Sequence, residues 1–242
     1  SGRIRDLYDT VLTASMREGE FLTHLLVDLL DRNLYERADD CRWWALTPEL
    51  RTVLAQAHVS ADDARQLSAI LESIHRLYTV YSQLVVYDRF GVIVAATQPH
   101  HDDGSNVVGS RIEEDTLAAV LSLRDSQNYH VTPFRPSPLF GGKQTYIYHA
   151  GIRAEDGAEV TVGGIGIVFH AEREFADMLT GGMGDMPDTR AMYVRRNGLI
   201  ISSTDPTRPA GSTLTGHEEL LALPRGEATS RVLVHDGNYT IV

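Results

Sequence analysis

Cysteine is scarce in this 242-residue sequence: Cys41 is the only one, so neither an intramolecular disulfide nor a zinc ribbon can form. Long apolar runs are also missing, because no stretch approaches the ~18–20 uninterrupted apolar residues of a membrane-spanning helix. Basic residues are too few for a nucleic-acid-binding surface, since 22 Lys and Arg against 33 Asp and Glu give a formal charge of −11. The remaining composition, 43% hydrophobic and 23% charged, predicts a globular protein of one large or two small domains.

The first part of the chain is predicted to be helical. Residues 3–46 contain no proline, and their only glycine is Gly19. Apolar residues recur every three or four positions, which is the spacing of an amphipathic helix: Ile4, Leu7, Val11, Ala14, Phe21, Leu22, Leu25, Leu26, Leu29 and Leu30. A stripe of this length predicts a helical partner, and we expect a homodimer through this helix. Thr47-Pro48 ends or bends the helix, and residues 49–76 form a second helical segment with a start near Ser60.

Short β-rich runs follow Leu77. Two of them, 81–87 and 92–96, flank Asp88-Arg89-Phe90-Gly91, which is typical of a hairpin turn. Residues 111–123 return to helical spacing, and three further strands are predicted at 129–134, 145–153 and 160–170. Five strands with one helix between the second and third is the order of a PAS-like α+β module, for which we expect one antiparallel sheet with helices on one face and the long N-terminal helix against the other.

The same signature occurs a second time in the chain. Residues 85–97, VVYDRFGVIVAAT, match residues 192–204, MYVRRNGLIISST, when Gly91 is superposed on Gly198. Gly109-Ser110 and Gly211-Ser212 are the next shared landmark, followed in the second copy by a predicted helix at 217–223, a strand at 228–234 and a turn at 235–237. The chain ends where the next strand is due, so we expect the second PAS-like module to be incomplete.

A long helix followed by two PAS-like modules resembles the double Cache (dCache) sensor domains of bacterial chemoreceptors and other signal-transduction proteins. The resemblance rests on YDRFGVIVA at 87–95, YIYHAGIR at 146–153, VGGIGIVF at 162–169 and EFADML at 174–179. LYERADDCRWWAL at 34–46, with the GGIGIVF strand, is similar to a subgroup linked to CheW-type chemotaxis proteins.

The resemblance implies a division into residues 1–76, a helical stalk with a second helix; 77–176, a membrane-distal ligand-binding module; and 177–242, an incomplete membrane-proximal module. It implies a periplasmic domain of an inner-membrane protein that binds a small molecule and signals to an output domain elsewhere on the same chain. Because the compartment rests on the family alone, a cytoplasmic location stays open.

The resemblance also indicates where a ligand would bind, between the sheet of the first module and the loops that cover it. The candidate ligand-binding residues are Tyr146, Tyr148, His149, Phe134, Tyr129, His130 and Arg135. Relatives that bind amino acids use a strand Trp, Tyr and Asp, where this sequence has Tyr146, Ile147 and His149, and a second Asp, where it has Val168. Both carboxylates that would hold an ammonium group are therefore lost, and amino-acid specificity is not carried over.

Other chemistries find little support in the sequence. The run His100-His101-Asp102-Asp103 has metal-ligand side chains, but adjacent loop residues rarely converge on one ion, and we expect no metal site. Gly163-Gly164-x-Gly166 lies inside a predicted strand, where small residues let a helix or a ligand approach the sheet closely, and it does not have the context of a dinucleotide loop. Catalytic motifs of defined spacing are absent, so we expect no catalysis and no cofactor.

Three functions stay open from the sequence. The favoured one is a ligand-binding sensor module. The second is a protein-interaction scaffold whose vestigial pocket is filled by side chains such as Tyr146 and Tyr148. The third is a small-molecule hydrolase or transferase, which requires a nucleophile–base pair in a cleft.

Overall fold

The fold is described here from a computed structural model, which defines residues 2–155, 160–224, 232–235 and 238–242. The chain divides into two compact units. The first unit comprises Leu34–Ala171. The second unit combines the segment up to Asn33 with the chain from Glu172 onward.

Three helices open the chain: α1 (Gly2–Trp44), α2 (Pro48–Ala55) and α3 (Ala61–Leu77). Thr47 has a ψ of 120°, the extended conformation imposed by the following proline, so the predicted break between α1 and α2 is present. The predicted start near Ser60 is also confirmed, because the Ser60 hydroxyl caps α3 by accepting a hydrogen bond from the backbone N–H of Asp63.

The first unit is built around an antiparallel sheet. In chain order its elements are β1 (Tyr81–Asp88), β2 (Ile93–Ala96), α4 (Glu114–Leu121), β3 (His130–Val131), β4 (Arg135–Pro136), β5 (Gln144–Thr145), β6 (Ile147–Arg153) and β7 (Thr161–Phe169). The five main strands lie in the order β2-β1-β7-β6-β3, and β4 pairs with β5 in a separate ribbon. This confirms the predicted α+β class, with a long N-terminal helix followed by an antiparallel sheet of the PAS type.

The helices α1, α2 and α3 pack on the same face of this sheet, so the expectation that the long helix lies on the opposite face is wrong; α4 packs on that opposite face. Trp44 from α1, Leu50 from α2 and Leu67 from α3 are buried in one apolar core with side chains of the central strands, including Leu84 and Ile165. An isolated helix as short as the eight residues of α2 would be marginal in water. Burial stabilises it, since each fully buried leucine contributes about 1.5–3 kcal/mol.

The sequence repeat is reproduced hydrogen bond by hydrogen bond. Gly91 and Gly198 both adopt positive φ, +81° and +87°, a conformation that glycine tolerates without a Cβ clash. The amide of Ile93 donates to the carbonyl of Ser110 at 2.8 Å, as that of Ile200 does to Ser212 at 2.9 Å. Each hairpin is also closed by the threonine at the end of its signature. The backbone N–H of Thr97 donates to the carbonyl of Leu84 and its hydroxyl oxygen accepts from the Leu84 amide, and Thr204 makes the same two bonds with Ala191. The two copies therefore share the geometry predicted from their sequences.

The second unit contains the elements of the second copy. These are α5 (Ala171–Met183), β8 (Met192–Val194), β9 (Ile200–Ser203), α6 (Glu218–Leu221), β10 (Val232–His235) and β11 (Asn238–Ile241). Of the strand predicted at 228–234 and the turn at 235–237, only residues 232–235 are described, and the remaining positions lie outside the described residues. None of the helices in the described ranges combines the length and the apolarity needed to cross a membrane.

Candidate ligand-binding cavity

A cavity of about 200 Å³ lies over the face of the sheet that α2 and α3 do not cover. Its walls come from β2, β6, the segment leading into α4, and the 3₁₀ turn at Pro138–Phe140. The apolar part of the lining is Ile93, Ile112, Pro138, Leu139 and Ile147. The polar part includes Thr116, Thr132, Arg135, Ser137, Thr145 and His149. The cavity is smaller than the ~300 Å³ lower limit of drug-sized pockets, so it suits a small metabolite.

Strand alternation decides which side chains of β6 reach the cavity. Successive residues of a strand point to opposite faces. Ile147 and His149 line the cavity, whereas Tyr148 and Ala150 belong to the helix-facing core.

His149 is fixed by a hydrogen bond to a second buried side chain. The hydroxyl oxygen of Tyr87 lies 2.9 Å from Nδ1 of His149, and both residues are buried. Burial lowers the pKa of His149 to about 3, because a charged imidazolium would be desolvated there. Burial also raises the pKa of Tyr87, so its hydroxyl keeps its proton and can donate to Nδ1. A neutral imidazole that accepts at Nδ1 carries its proton on Nε2, which makes His149 a donor on its other side.

Glycines in β7 make room for this pair. A Cβ at Gly164 would lie 2.5 Å from Cζ of Tyr87, and a Cβ at Gly166 would lie 3.0 Å from Cε1 of His149. At Gly163 a Cβ would meet Cδ1 of Leu54 from α2 at 3.0 Å. The close approach predicted for this strand is therefore made by a helix on one face and by two side chains on the other.

Thr132 adds a second polar group to the cavity wall. Its hydroxyl oxygen accepts a hydrogen bond from the backbone N–H of Ile147 at 2.9 Å. Among the described residues no acceptor is found for the hydroxyl proton of Thr132. Together with the Nε2–H of His149, it gives the lining two donors and suits a ligand that presents an acceptor oxygen.

Arg135 lies at the rim of the cavity with its charge already compensated. It forms ion pairs with Glu113 and with Asp115, the latter at 3.1 Å between Nη1 and Oδ2. The hydrogen bond from Arg135 lowers the pKa of Asp115 and keeps that carboxylate ionised. The rim therefore carries no unopposed positive charge at this position.

The structure distributes the seven predicted ligand-binding residues over different surroundings. Arg135 and His149 line the cavity. The other five lie outside its lining. Tyr146 and Tyr148 contact the helix-facing core, and Tyr129 stacks on Tyr148 with ring centroids 6.2 Å apart. Phe134 contacts the Tyr146 ring, and the centroid of the His130 ring lies 6.2 Å from that of His149. The physical reason is the alternation of β6, which separates the two tyrosines from His149.

Several lining residues were not identified from the sequence. Thr116, Thr132 and Ser137 lie in loops or at element ends that close over the sheet only in three dimensions. In the sequence Tyr87 belongs only to the hairpin motif. The sequence signal that could have identified Tyr87 is the pair Gly164 and Gly166. Two glycines on one face of a strand leave a space that a large side chain from a neighbouring strand can fill.

No metal centre is found in the part of the chain that the structure describes, since no group of three or more His, Cys, Asp or Glu side chains could hold an ion. His101, from the predicted metal-like run, lines the rim of the cavity instead.

Known structures with a similar fold are sensor domains. The sensor domain of the V. cholerae histidine kinase DctB matches with a TM-score of 0.64 and 14% identity, covering 81% of this chain and 69% of that one. The sensory domain of the Campylobacter jejuni chemoreceptor Tlp3 matches with a TM-score of 0.63 and 10% identity, covering 96% and 89%. The same chemoreceptor's ligand-binding domain in complex with L-valine matches with a TM-score of 0.59 and 10% identity, covering 96% and 88%.

No family model matches the sequence, and no curated protein sequence matches it, so the similarity lies at the level of the fold. The chain has the fold of Cache-type sensor domains, and the predicted resemblance to that fold is confirmed. The matching structures are described as sensor or ligand-binding domains.

Proposed function

We propose that this protein is a sensor domain that binds a small molecule in the cavity lined by His149. The observation that carries the proposal is the buried Tyr87–His149 pair, which holds a neutral imidazole at the wall of the cavity beside the apolar side chains of Ile93 and Ile147. A buried polar group that presents a donor to an internal space is costly unless a partner satisfies it. The proposed ligand therefore has a compact apolar body and an acceptor oxygen that faces His149 and Thr132.

A thermal-shift screen of the whole 242-residue chain tests this proposal, with small carboxylates, amines, purines and sugars as probes. A binder raises the midpoint with increasing concentration, and titration calorimetry then gives its stoichiometry. We expect one site per chain. Absence of any shift across these classes would favour the scaffold hypothesis over the sensor.

Two histidine variants locate the site. His149→Phe should weaken binding at least tenfold, because phenylalanine keeps a ring at this position but has no N–H to donate. His130→Phe is the matched control, since this neighbouring histidine does not line the cavity. Equal loss in both variants, or loss only in His130→Phe, would place the ligand away from the cavity.

The proposed signal runs along α1, a continuous 43-residue helix with one part in each compact unit. Ligand binding shifts the population of the closed first module and, with it, the position of this helix. Apolar side chains spaced seven residues apart are exposed near its start: Ile4 and Val11 in one register, with Leu7 beside them. This spacing suits a homodimer through the helix.

Light scattering tests the homodimer. Ile4→Lys with Val11→Lys should halve the molar mass, whereas Asp6→Lys on the charged face should leave it unchanged. A monomeric native chain would contradict the dimer.

We further propose an extracytoplasmic location, an output domain elsewhere on the same chain, and the CheW-linked subgroup. The fold shared with sensor domains of a histidine kinase and a chemoreceptor supports the first two, and the 34–46 sequence supports the third. In cells that make the full chain, protease added to spheroplasts should cleave a tag in this domain. Protection of the tag would place the domain in the cytoplasm.

A further inference from the structure

A second cleft in the first unit, of about 460 Å³, shares no lining residue with the cavity described above. It lies beside the end of β6. On one side β6 pairs with β7 along its whole length, but on the other side β3 pairs with it only at Tyr148 and His149. Ala150 and Gly151 therefore have no strand on that side, and they line the cleft together with the 124–128 segment. The last turns of α1 and the helix α2 complete its walls.

The cleft is unusually rich in arginine for an acidic chain. Four arginines and two acidic residues line it, in a sequence whose formal charge is −11. The arginines are Arg42, Arg51, Arg124 and Arg153, contributed by four different segments, and the acids are Asp125 and Glu155. Charges of one sign that line a concave surface reinforce one another, because the low-dielectric walls focus their field.

Backbone carbonyls hold three of these guanidinium groups. Arg51 donates from Nε to the carbonyl oxygen of Arg153 at 2.9 Å and from Nη2 to that of Ala154 at 3.2 Å. Arg42 donates from Nη1 to the carbonyl oxygen of Gln127 at 2.9 Å. Arg153 donates from Nη1 to that of Leu123 at 3.4 Å. A carbonyl is neutral, so the bonds that Arg42 and Arg51 make to these oxygens fix the two guanidinium groups without compensating their positive charge.

The nearby acids compensate this charge only in part. The Arg51–Glu155 pair is long, at 3.9 Å between nitrogen and oxygen. Asp125 Oδ1 accepts hydrogen bonds at 2.8 Å from the backbone N–H of Gln127 and from Nδ2 of Asn128. Arg42 pairs with Asp39, which lies outside the lining. For Arg124 no ion-pair partner is found among the residues that the structure describes.

We propose that this arginine cleft binds a small polyanion, a molecule that carries at least two phosphate or carboxylate groups. Guanidinium groups bind such oxyanions through paired N–H donors, and groups already held in place lose less entropy on binding. The site is separate from the proposed sensor cavity and does not depend on it. A bound polyanion would join the end of α1 to the 124–128 segment and to the end of β6.

Titration calorimetry on the 242-residue chain tests the cleft, with sodium pyrophosphate, citrate and acetate as probes at ionic strength held constant with NaCl. We expect saturable binding of pyrophosphate, citrate or both at one site, and none of acetate. Binding of only one polyanion identifies phosphate or carboxylate as the preferred group. If neither pyrophosphate nor citrate gives a saturable heat of binding, the proposal is overturned.

Three variants locate the polyanion. Arg124→Gln should weaken binding at least tenfold, because an ionic hydrogen bond contributes that much. Arg89→Gln, an exposed arginine in the first hairpin turn, should leave the affinity unchanged. His149→Gln should also leave it unchanged. If Arg124→Gln binds normally, the cleft is not the site; if only His149→Gln loses binding, the polyanion occupies the sensor cavity and this proposal fails while the proposed sensor function stands.

Discussion

The hydroxyl oxygen of Tyr87 lies within hydrogen-bonding distance of Nδ1 of His149, at 2.9 Å, in the interior of the first module. Tyr87 belongs to β1 and His149 to β6, and β7 separates the two strands in the sheet. They meet above the central strand because Gly164 and Gly166 have no side chains there. The bond sets the tautomer of the imidazole, and it thereby decides which kind of ligand atom the cavity can satisfy.

Removing the hydroxyl group of Tyr87 should allow His149 to adopt both of its neutral tautomers. In Tyr87→Phe the Nδ1 atom loses its donor, so we expect a loss of about 1–3 kcal/mol in the free energy of unfolding, the cost of a buried unsatisfied group. Nitrogen-15 NMR of the histidine rings should show Nδ1 of His149 unprotonated in the native protein and a mixture of tautomers in the variant. Tyr129→Phe, at a half-exposed ring, is the control. An unchanged tautomer in Tyr87→Phe would show that another group orients the ring.

Acidification should destabilise the protein partly through His149. The pKa of His149 is lowered to about 3 by burial, with smaller contributions from His130 and Arg135, whereas an unfolded histidine titrates near 6.5. The unfolded state therefore binds a proton that the native state does not. The stabilisation is fully present above about pH 6.5 and is lost as the pH falls toward 3, by about 2 kcal/mol at pH 5.

Urea unfolding at pH 7.5, 6.0 and 5.0 measures this effect by comparison of the native protein with His149→Gln. The variant should lose less stability on acidification, while groups common to both proteins, such as His130, cancel. Parallel pH profiles would mean that His149 does not resist protonation in the folded protein.

The close packing of Tyr87 and His149 against Gly164 and Gly166 of β7 gives a third prediction. Gly164→Ala should destabilise the protein by about 1–3 kcal/mol, because the new Cβ would overlap the Tyr87 ring in a packed core. Gly181→Ala is the matched control: it lies within α5 with nothing within 4 Å of the added Cβ, and alanine favours a helix over glycine by up to about 1 kcal/mol. Equal thermal midpoints in the two variants would show that Tyr87 yields without cost.

The fold was predictable because its signals are local. The hairpin around Asp88 and Gly91 needs one turn and two apolar runs, and both lie within a dozen residues of sequence. The amide of Asp88 donates to the carbonyl oxygen of Val92 at 3.0 Å, and the amide of the aligned Arg195 donates to that of Leu199 at 2.8 Å in the second copy. Such contacts repeat with the sequence, so aligning the copies was sufficient to place both hairpins.

The cavity was less predictable because it depends on which face of the sheet the helices cover. The alternation of Tyr148 and His149 was evident, but the sequence does not say which of the two faces is open. That choice is made by Leu50 and Leu67, which approach from helices far away in the chain. The aromatic residues of the sequence favour a pocket lined by tyrosines, whereas the structure buries Tyr148 against the helices and leaves His149 to line the cavity.

A hydrogen bond inside the second unit gives the last prediction. The Tyr193 hydroxyl in β8 donates to the carbonyl oxygen of Leu26 in α1 at 2.7 Å, and burial raises the pKa of Tyr193 to about 12, so the donor persists throughout the neutral range. Tyr193→Phe should lower the local stability by about 1 kcal/mol. Hydrogen exchange should therefore quicken several-fold in β8 and β9 while β1 and β7 stay protected, because the lost bond lies in the other compact unit. Tyr8→Phe, at an exposed position on the same helix, should change neither. Faster exchange throughout both units would show instead that they unfold as one, and the helix could then not shift in one unit while the other stays folded.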